Sequence, residues 1–138
     1  MENAYGLNIP QNLAETCNPR RTALWVYDMQ VGIIRQASEV IFDKITLSAF
    51  EGTPLDIALR DCGINSFIIV GVATEIGIEP TIRHGADLGY IPIVVRDACG
   101  AGHAEAGERA LASIEFMGDA VLTDIRTIQD ILGRMAAA

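Results

Sequence analysis

The sequence predicts an α/β fold of three layers, in which helices cover both faces of a mostly parallel sheet. The strand candidates are apolar throughout instead of alternating with polar residues, which is typical of strands buried on both faces. Most of these strands are followed by a segment with apolar residues at helical spacing. In such folds the connections are right-handed and ligands bind at the carboxyl ends of the strands. The strand candidates are residues 23–27, 40–42 (weaker), 67–70, 91–95 and 120–122.

The chain begins with a polar segment, residues 1–21, that contains Pro10 and Pro19. We interpret it as an irregular N-terminal arm, either laid over a neighbouring subunit or frayed. The remaining residues, 22–138, form the single domain that a chain of 138 residues predicts.

Start and stop signals place the helices between the strands. Thr53 followed by Pro54 predicts a helix start, and Gly63 predicts its end. A second helix is expected to take its first turn near residues 77–80, because Pro80 is tolerated only there, and to stop at Gly89. The other helical segments are residues 31–37, 104–117 and a last helix capped by Thr123 or Asp124.

Composition excludes several classes of function. The net charge of −8 disfavours binding to nucleic acid or to anionic lipid. The apolar stretches are far shorter than the roughly 20 residues that a membrane span requires, and the first residues do not resemble a signal peptide. Three widely spaced cysteines and two histidines predict neither a disulfide framework nor a zinc site, so we expect reduced thiols and a cytoplasmic location.

The carboxyl ends of the predicted strands select the candidate site residues. Asp28, with Gln30 nearby, is either a helix cap or a partly desolvated carboxyl whose raised pKa suits proton transfer. Lys44 is either a solvated surface lysine or the partner of a carboxylate. The Ala73–Gly77 turn offers helix N–H groups to an anion, and Asp97 follows the next strand.

Together these segments resemble one family, the isochorismatase-like or cysteine hydrolases, which include nicotinamidases and N-carbamoylsarcosine amidases. The residues that carry the resemblance are ALWVYDMQ at 23–30, Lys44 with SAF at 48–50, GVATEIGIEPT at 71–81 and Asp97-Ala98. The resemblance implies a Rossmann-like parallel sheet, a site built from Asp, Lys and Cys, and a non-proline cis peptide between Val72 and Ala73. Asp28 and Lys44 match the first two, whereas Gly77 stands at the place of the cysteine.

Gly77 changes the reaction that the resemblance implies, because amide hydrolysis in this family uses a thiolate. Isochorismatases proper, which cleave a vinyl ether, are similar to this chain in having Gly after Ile at this place. Asp28 would then be the general acid and Lys44 would orient it. The substrate, a small anion, would be held by Gln30, Phe50, the Ala73 N–H and the helix start at Gly77. Glu75 departs from the pattern, since isochorismatases proper tend to carry His there.

A second departure is the spacing between the two catalytic candidates. Only 15 residues separate Asp28 from Lys44, where the family places a helix, a strand and a loop. Either the chain lacks one βα unit, or a stretch near residues 36–40 is missing from the sequence. Nicotinamidases keep their metal ligands in that part, so we expect no metal, and nothing in the sequence implies another cofactor.

Three functions remain open from the sequence. The first is a hydrolase of the isochorismatase type, and the second is an amide or ureide hydrolase with an altered nucleophile. The third is a non-catalytic ligand-binding or oligomeric member. A small-molecule partner is expected, and a composition that is 50% hydrophobic, with Trp25 in a strand, favours a homo-oligomer.

Overall fold

A parallel sheet forms the centre of the molecule. The computed structural model describes residues 2–4, 7–9, 11–17, 21–27 and 41–136. Within these ranges the sheet has four strands, whose order in the sheet is their order in the sequence, and all neighbouring strands are parallel. The four strands are β3 (Thr22–Tyr27), β4 (Ser66–Val72), β5 (Ile91–Gly100) and β6 (Val121–Thr123). The predicted α/β fold class is confirmed.

Helices cover both faces of this sheet. The main helices are α2 (Leu55–Asp61), α3 (Glu79–Asp87), α4 (Ala104–Met117) and α5 (Ile125–Ala136). Phe67 and Ile69 of β4 pack on one face in a core cluster with residues of α2, α3 and α4. Ile68, between them, points to the opposite face and packs in a second cluster with residues of α5. This alternation explains why the strand is apolar at every position.

The stop signals act as predicted, whereas α2 begins one residue later than expected, with Pro54 and not Thr53 as its N-cap. The Thr53 hydroxyl accepts the Leu55 N–H at 3.2 Å at the start of α2, and Gly63 and Gly89 follow α2 and α3 with φ of 68° and 90°. Asp124 caps α5 by accepting the Thr127 N–H at 2.9 Å. Short-range signals of this kind depend on neighbouring residues alone, which is why they are readable from the sequence.

Two strand predictions need correction. Ile41 and Phe42 belong to no strand. They lie in a loop, from which Phe42 packs against the core. Strand β5 does not end at Val95, as the prediction for residues 91–95 had it, but continues to Gly100. Its residues Cys99 and Gly100 pair with Gly71 and Val72 of β4 after a register shift. The helical turns expected at 31–37 and residue 40 lie outside the described residues. So does the place near 36–40 where either a βα unit is lacking or a stretch of sequence is missing.

The N-terminal segment contains regular elements where we expected an irregular arm. Strands β1 (Glu2–Ala4) and β2 (Leu7–Ile9) form an antiparallel pair, followed by one helical turn, α1 (Leu13–Thr16). Cys17 is fully buried in the α5 side of the core, and the Ser66 hydroxyl donates to the Thr16 carbonyl at 3.1 Å. The end of this segment therefore packs on the sheet of its own chain.

Within the described ranges, no helix combines the length and the apolar character that a membrane crossing needs.

Candidate functional site

The candidate site begins where β4 ends. The Val72–Ala73 peptide bond is cis, as the resemblance predicted. A single π-helical turn, Thr74–Ile78, follows and leads directly into α3, so the helical region starts before the expected residues 77–80. The Ala73 carbonyl accepts the Gly77 N–H at 3.0 Å, and it also accepts those of Ile76 and Ile78. The Gly77 N–H is thus engaged within the turn, and Gly77 itself is buried.

Two side chains of the turn bind the segment 100–103, which joins β5 to α4. The Thr74 hydroxyl donates to the Gly100 carbonyl at 3.0 Å, and the His103 N–H donates to Glu75 Oε1 at 2.8 Å. The backbone N–H groups of Glu75 itself, of His103 and of Gly102 lower the pKa of the Glu75 carboxyl. Glu75 is therefore an ionised carboxylate at the N-terminus of α4, where the helix dipole favours negative charge.

Two glycines allow segment 100–103 to lie close to its neighbours. A Cβ at Gly102 would lie 2.9 Å from Glu75 Oε1, and a Cβ at Gly107 would lie 2.5 Å from the Ala101 Cβ. Both distances are shorter than van der Waals contact. Gly102 therefore allows segment 100–103 to pack against the turn, and Gly107 allows the same segment to pack against α4.

Lys44 lies on a loop that is attached to α3. Its Nζ donates to the Thr46 carbonyl at 2.9 Å, and its side chain is half-buried. Further along the loop, the Ala49 N–H donates to Thr81 Oγ1 at 3.0 Å, and Thr81 Oγ1 donates to the Gly77 carbonyl at 2.8 Å. A fully buried threonine thus links the loop that carries Lys44 to the turn that carries Gly77.

Sequence reasoning missed Thr81, although it was quoted within the motif at 71–81. Its position four residues after Gly77 was a usable signal, because residues four apart lie on the same face of a helix.

Phe50 lies elsewhere. It is 7% exposed, and its ring centroid is 5.8 Å from that of Phe67 and 5.6 Å from that of Tyr90. Phe67 is the second residue of β4 and Tyr90 immediately precedes β5, so Phe50 belongs to the amino end of the sheet. Most of the length of β4 separates it from Ala73 and Gly77, and the described structure does not bring these residues together.

The remaining candidates have the following places. Asp28 and Gln30 lie outside the described residues. The Asp97 side chain accepts the Ile125 N–H at 2.9 Å, which makes it a capping group of α5. Among the residues with described positions, no three His, Cys, Asp or Glu side chains lie close enough to hold a metal ion.

A small apolar recess, with a cavity volume of about 10 Å³, lies on the side of the sheet that faces α2 and α3. Thr81 is one of its lining residues, but the Thr81 hydroxyl is engaged in two hydrogen bonds within the protein. The recess therefore offers little to a polar or anionic substrate. It is lined by Ala23, Phe50, Leu55, Leu59, Phe67 and Thr81.

Comparison with known proteins decides the family. The model of the isochorismatase domain matches residues 25–126, which is well over half of the chain. The chain belongs to the isochorismatase family.

Solved structures agree with this assignment. An isochorismatase family protein from Desulfovibrio vulgaris is 27% identical over 75% of this chain and 54% of its own, with a TM-score of 0.67. A cysteine hydrolase from Pseudomonas syringae is 28% identical over 77% of this chain and 55% of its own, with a TM-score of 0.67. The nicotinamidase from Staphylococcus aureus is 34% identical over 59% of this chain and 50% of its own, with a TM-score of 0.57. This isochorismatase-family chain spans about half the length of these proteins.

The cysteines of this isochorismatase-family chain lie away from position 77. Cys17 is buried on the α5 side of the sheet, and Cys62 follows α2 and is exposed. Cys99, on β5, is in register with Gly71 of β4. Burial raises the pKa of the Cys99 thiol to about 11, so this group is a neutral thiol at physiological pH.

Proposed function

We propose that this chain is a hydrolase that cleaves a vinyl ether bond of a small anionic substrate without a cysteine nucleophile. The observation that carries the proposal is Gly77, on the first turn after the cis peptide, where a side chain is absent. The state of Cys99 supports it, because this cysteine, paired in register with β4, is a neutral thiol and a poor nucleophile. A reaction that needs no nucleophilic side chain fits both observations.

The proposed reaction uses an acid and a water molecule. The carboxylic acid of Asp28 protonates the terminal carbon of the vinyl ether, and the ether oxygen stabilises the resulting oxocarbenium ion. Water adds to the cationic carbon and returns a proton to the Asp28 carboxylate. The hemiketal formed in this way then breaks its C–O bond and releases an alcohol and a ketone. General-acid catalysis of this kind contributes about 10²–10⁴-fold to the rate.

Lys44 is assigned two tasks in this proposal. Its ammonium orients Asp28, and it offsets the negative charge of the substrate. A cation is needed there because the Glu75 carboxylate, ionised on the same turn as Gly77, repels an anion. The half-buried position of Lys44 supports this role, since partial burial reduces screening by water.

An amide hydrolase is the second candidate function. It is favoured by the 34% identity with the nicotinamidase from Staphylococcus aureus. Since position 77 is glycine, this reaction requires attack by water or by a nucleophile at another position.

The test uses the purified chain, isochorismate and related vinyl ethers, and a panel of amides and ureides. We expect hydrolysis of a vinyl ether that falls by about 10²–10⁴-fold in Asp28→Asn. The matched control is Asp43→Asn, which removes an exposed carboxylate next to Lys44 and should leave turnover unchanged. Equal turnover by Asp28→Asn and the wild type would rule out Asp28 as the general acid.

The same panel separates the alternatives. Release of ammonia from an amide would favour the second function. Thermal stabilisation by one of these compounds without any product would identify a non-catalytic ligand-binding member.

A further inference from the structure

We infer that Thr81 is a positioning residue that holds the Lys44 loop against the Gly77 turn. This inference rests on the proposed function, because Thr81 acts through Lys44 and not on the substrate itself. Thr81 lies in the first half of α3 and is fully buried. Its hydroxyl uses both of its capacities, as an acceptor for Ala49 and as a donor to Gly77.

Hydrogen bonds within the loop connect Lys44 to the residues that contact this hydroxyl. Lys44 Nζ donates to the Thr46 carbonyl at 2.9 Å, and the Thr46 hydroxyl shares its proton between the Glu51 carbonyl at 2.8 Å and the Ser48 carbonyl at 3.0 Å. The peptide unit of that carbonyl also contains the Ala49 N–H, which donates to Thr81. Two candidate site residues that are distant in sequence are therefore joined through Thr81.

Loss of the Thr81 hydroxyl would release the loop from the turn. The Ala49 N–H and the Gly77 carbonyl would both lose a buried partner, and unsatisfied buried groups drive local rearrangement towards water. The loop would keep its other contact with α3, between Ser48 Oγ and His84 Nδ1 at 3.1 Å. That contact lies further along α3 from Gly77, so it holds the loop to the turn less directly than Thr81 does.

The chain offers a matched control for general loss of stability. Thr53 Oγ1 donates to the Ala49 carbonyl and accepts the Leu55 N–H, so it binds the same residue of the loop but has no bond to Gly77. We therefore compare Thr81→Val and Thr53→Val, which each remove one hydroxyl at nearly constant volume. Thr81→Ser retains the hydroxyl and should behave as the wild type.

The first readout is turnover of the vinyl ether that the wild type accepts. Thr81→Val should lower kcat by about 10- to 100-fold with KM nearly unchanged, because it misplaces a group by a small distance. Thr81→Ser should restore kcat, and Thr53→Val should retain wild-type kcat. Equal kcat in Thr81→Val and the wild type would overturn the inference, as would an equal loss in both valine variants.

The second readout does not depend on activity. Acylation of Lys44 by an amine-reactive ester, followed by mass spectrometry, should be several-fold faster in Thr81→Val than in Thr53→Val. If the wild type hydrolyses no vinyl ether, the proposed function fails while this comparison still decides the role of Thr81. If Thr81→Val does not fold, amide hydrogen exchange of Ala49 in the wild type tests the bond between Ala49 and Thr81. Slow exchange supports the bond to Thr81, and exchange as fast as in an unstructured peptide refutes it.

Discussion

Two helical glycines of this protein should respond in opposite ways to the same substitution. Gly107 lies in the first half of α4 and Gly133 in the last half of α5. Replacing glycine by alanine in a helix stabilises it by about 1 kcal/mol, because alanine loses less backbone entropy on folding. A Cβ at Gly133 meets nothing within 4 Å. Gly133→Ala should therefore raise the free energy of unfolding by about 0.5–1 kcal/mol.

At Gly107 the new methyl group has no room. Its Cβ would lie 2.5 Å from the Ala101 Cβ and 3.8 Å from the Thr74 Cβ. Overpacking of this kind costs about 1–3 kcal/mol, which equals or exceeds the gain in helix propensity. Gly107→Ala should therefore be neutral or lower the free energy of unfolding by up to about 2 kcal/mol.

The difference between the two variants isolates the packing cost. The propensity gain is common to both, so it cancels, and the expected difference is about 1–3 kcal/mol. The measurement is equilibrium unfolding in urea followed by circular dichroism, with equal m-values as the check on two-state behaviour. Equal stabilisation by Gly107→Ala and Gly133→Ala would show that segment 100–103 does not pack on α4 in the way described.

Two further predictions follow from the titrating groups. The pKa of Glu75 is lowered in the folded protein, so its contribution to stability is present above the unfolded value of 4.5 and is lost as pH falls through the folded pKa. The melting temperature of Glu75→Gln should therefore lie below that of the wild type at neutral pH and converge with it in acid; a constant gap would contradict this. Among the thiols, exposed Cys62 should react with iodoacetamide well before Cys99, whose pKa burial raises to about 11. Mass spectrometry of the alkylated peptides measures the order, and faster labelling of Cys99 would refute it.

The parts of the fold that were predictable are those specified by short-range signals. The apolar run at 67–70, the helix at 104–117 and the glycine stops appear as expected, because each depends on residues within a turn or two of one another. The end of β5 was not predictable in this way. Arg96 and Asp97 are charged residues, which predicts the end of a buried strand. The strand nevertheless continues, because Cys99 and Gly100 pair with residues of β4 that are distant in sequence.

The candidate site also contains residues that could be predicted from the sequence and residues that could not. Ala73, Gly77 and the cis peptide were named from a contiguous motif, and the structure has them on one turn. Phe50 was assigned to substrate binding from its neighbours in sequence, but its ring stacks on Tyr90 and packs with Phe67 in the core. Burial of a large aromatic side chain stabilises the fold more than exposure at a site would allow. Thr81 was missed because its partners, Ala49 and Gly77, meet only after the chain has folded.

The carboxylate of Glu75 disfavours the binding of a further anion at the N-terminus of α4. It already accepts the N–H of His103, the N-cap residue of α4, which would otherwise be open to an anion from solvent. The molecule thus carries its own counter-ion at that helix end, and a second negative group arriving there meets repulsion. An acidic ligand would therefore have to be held at a place other than the N-terminus of α4.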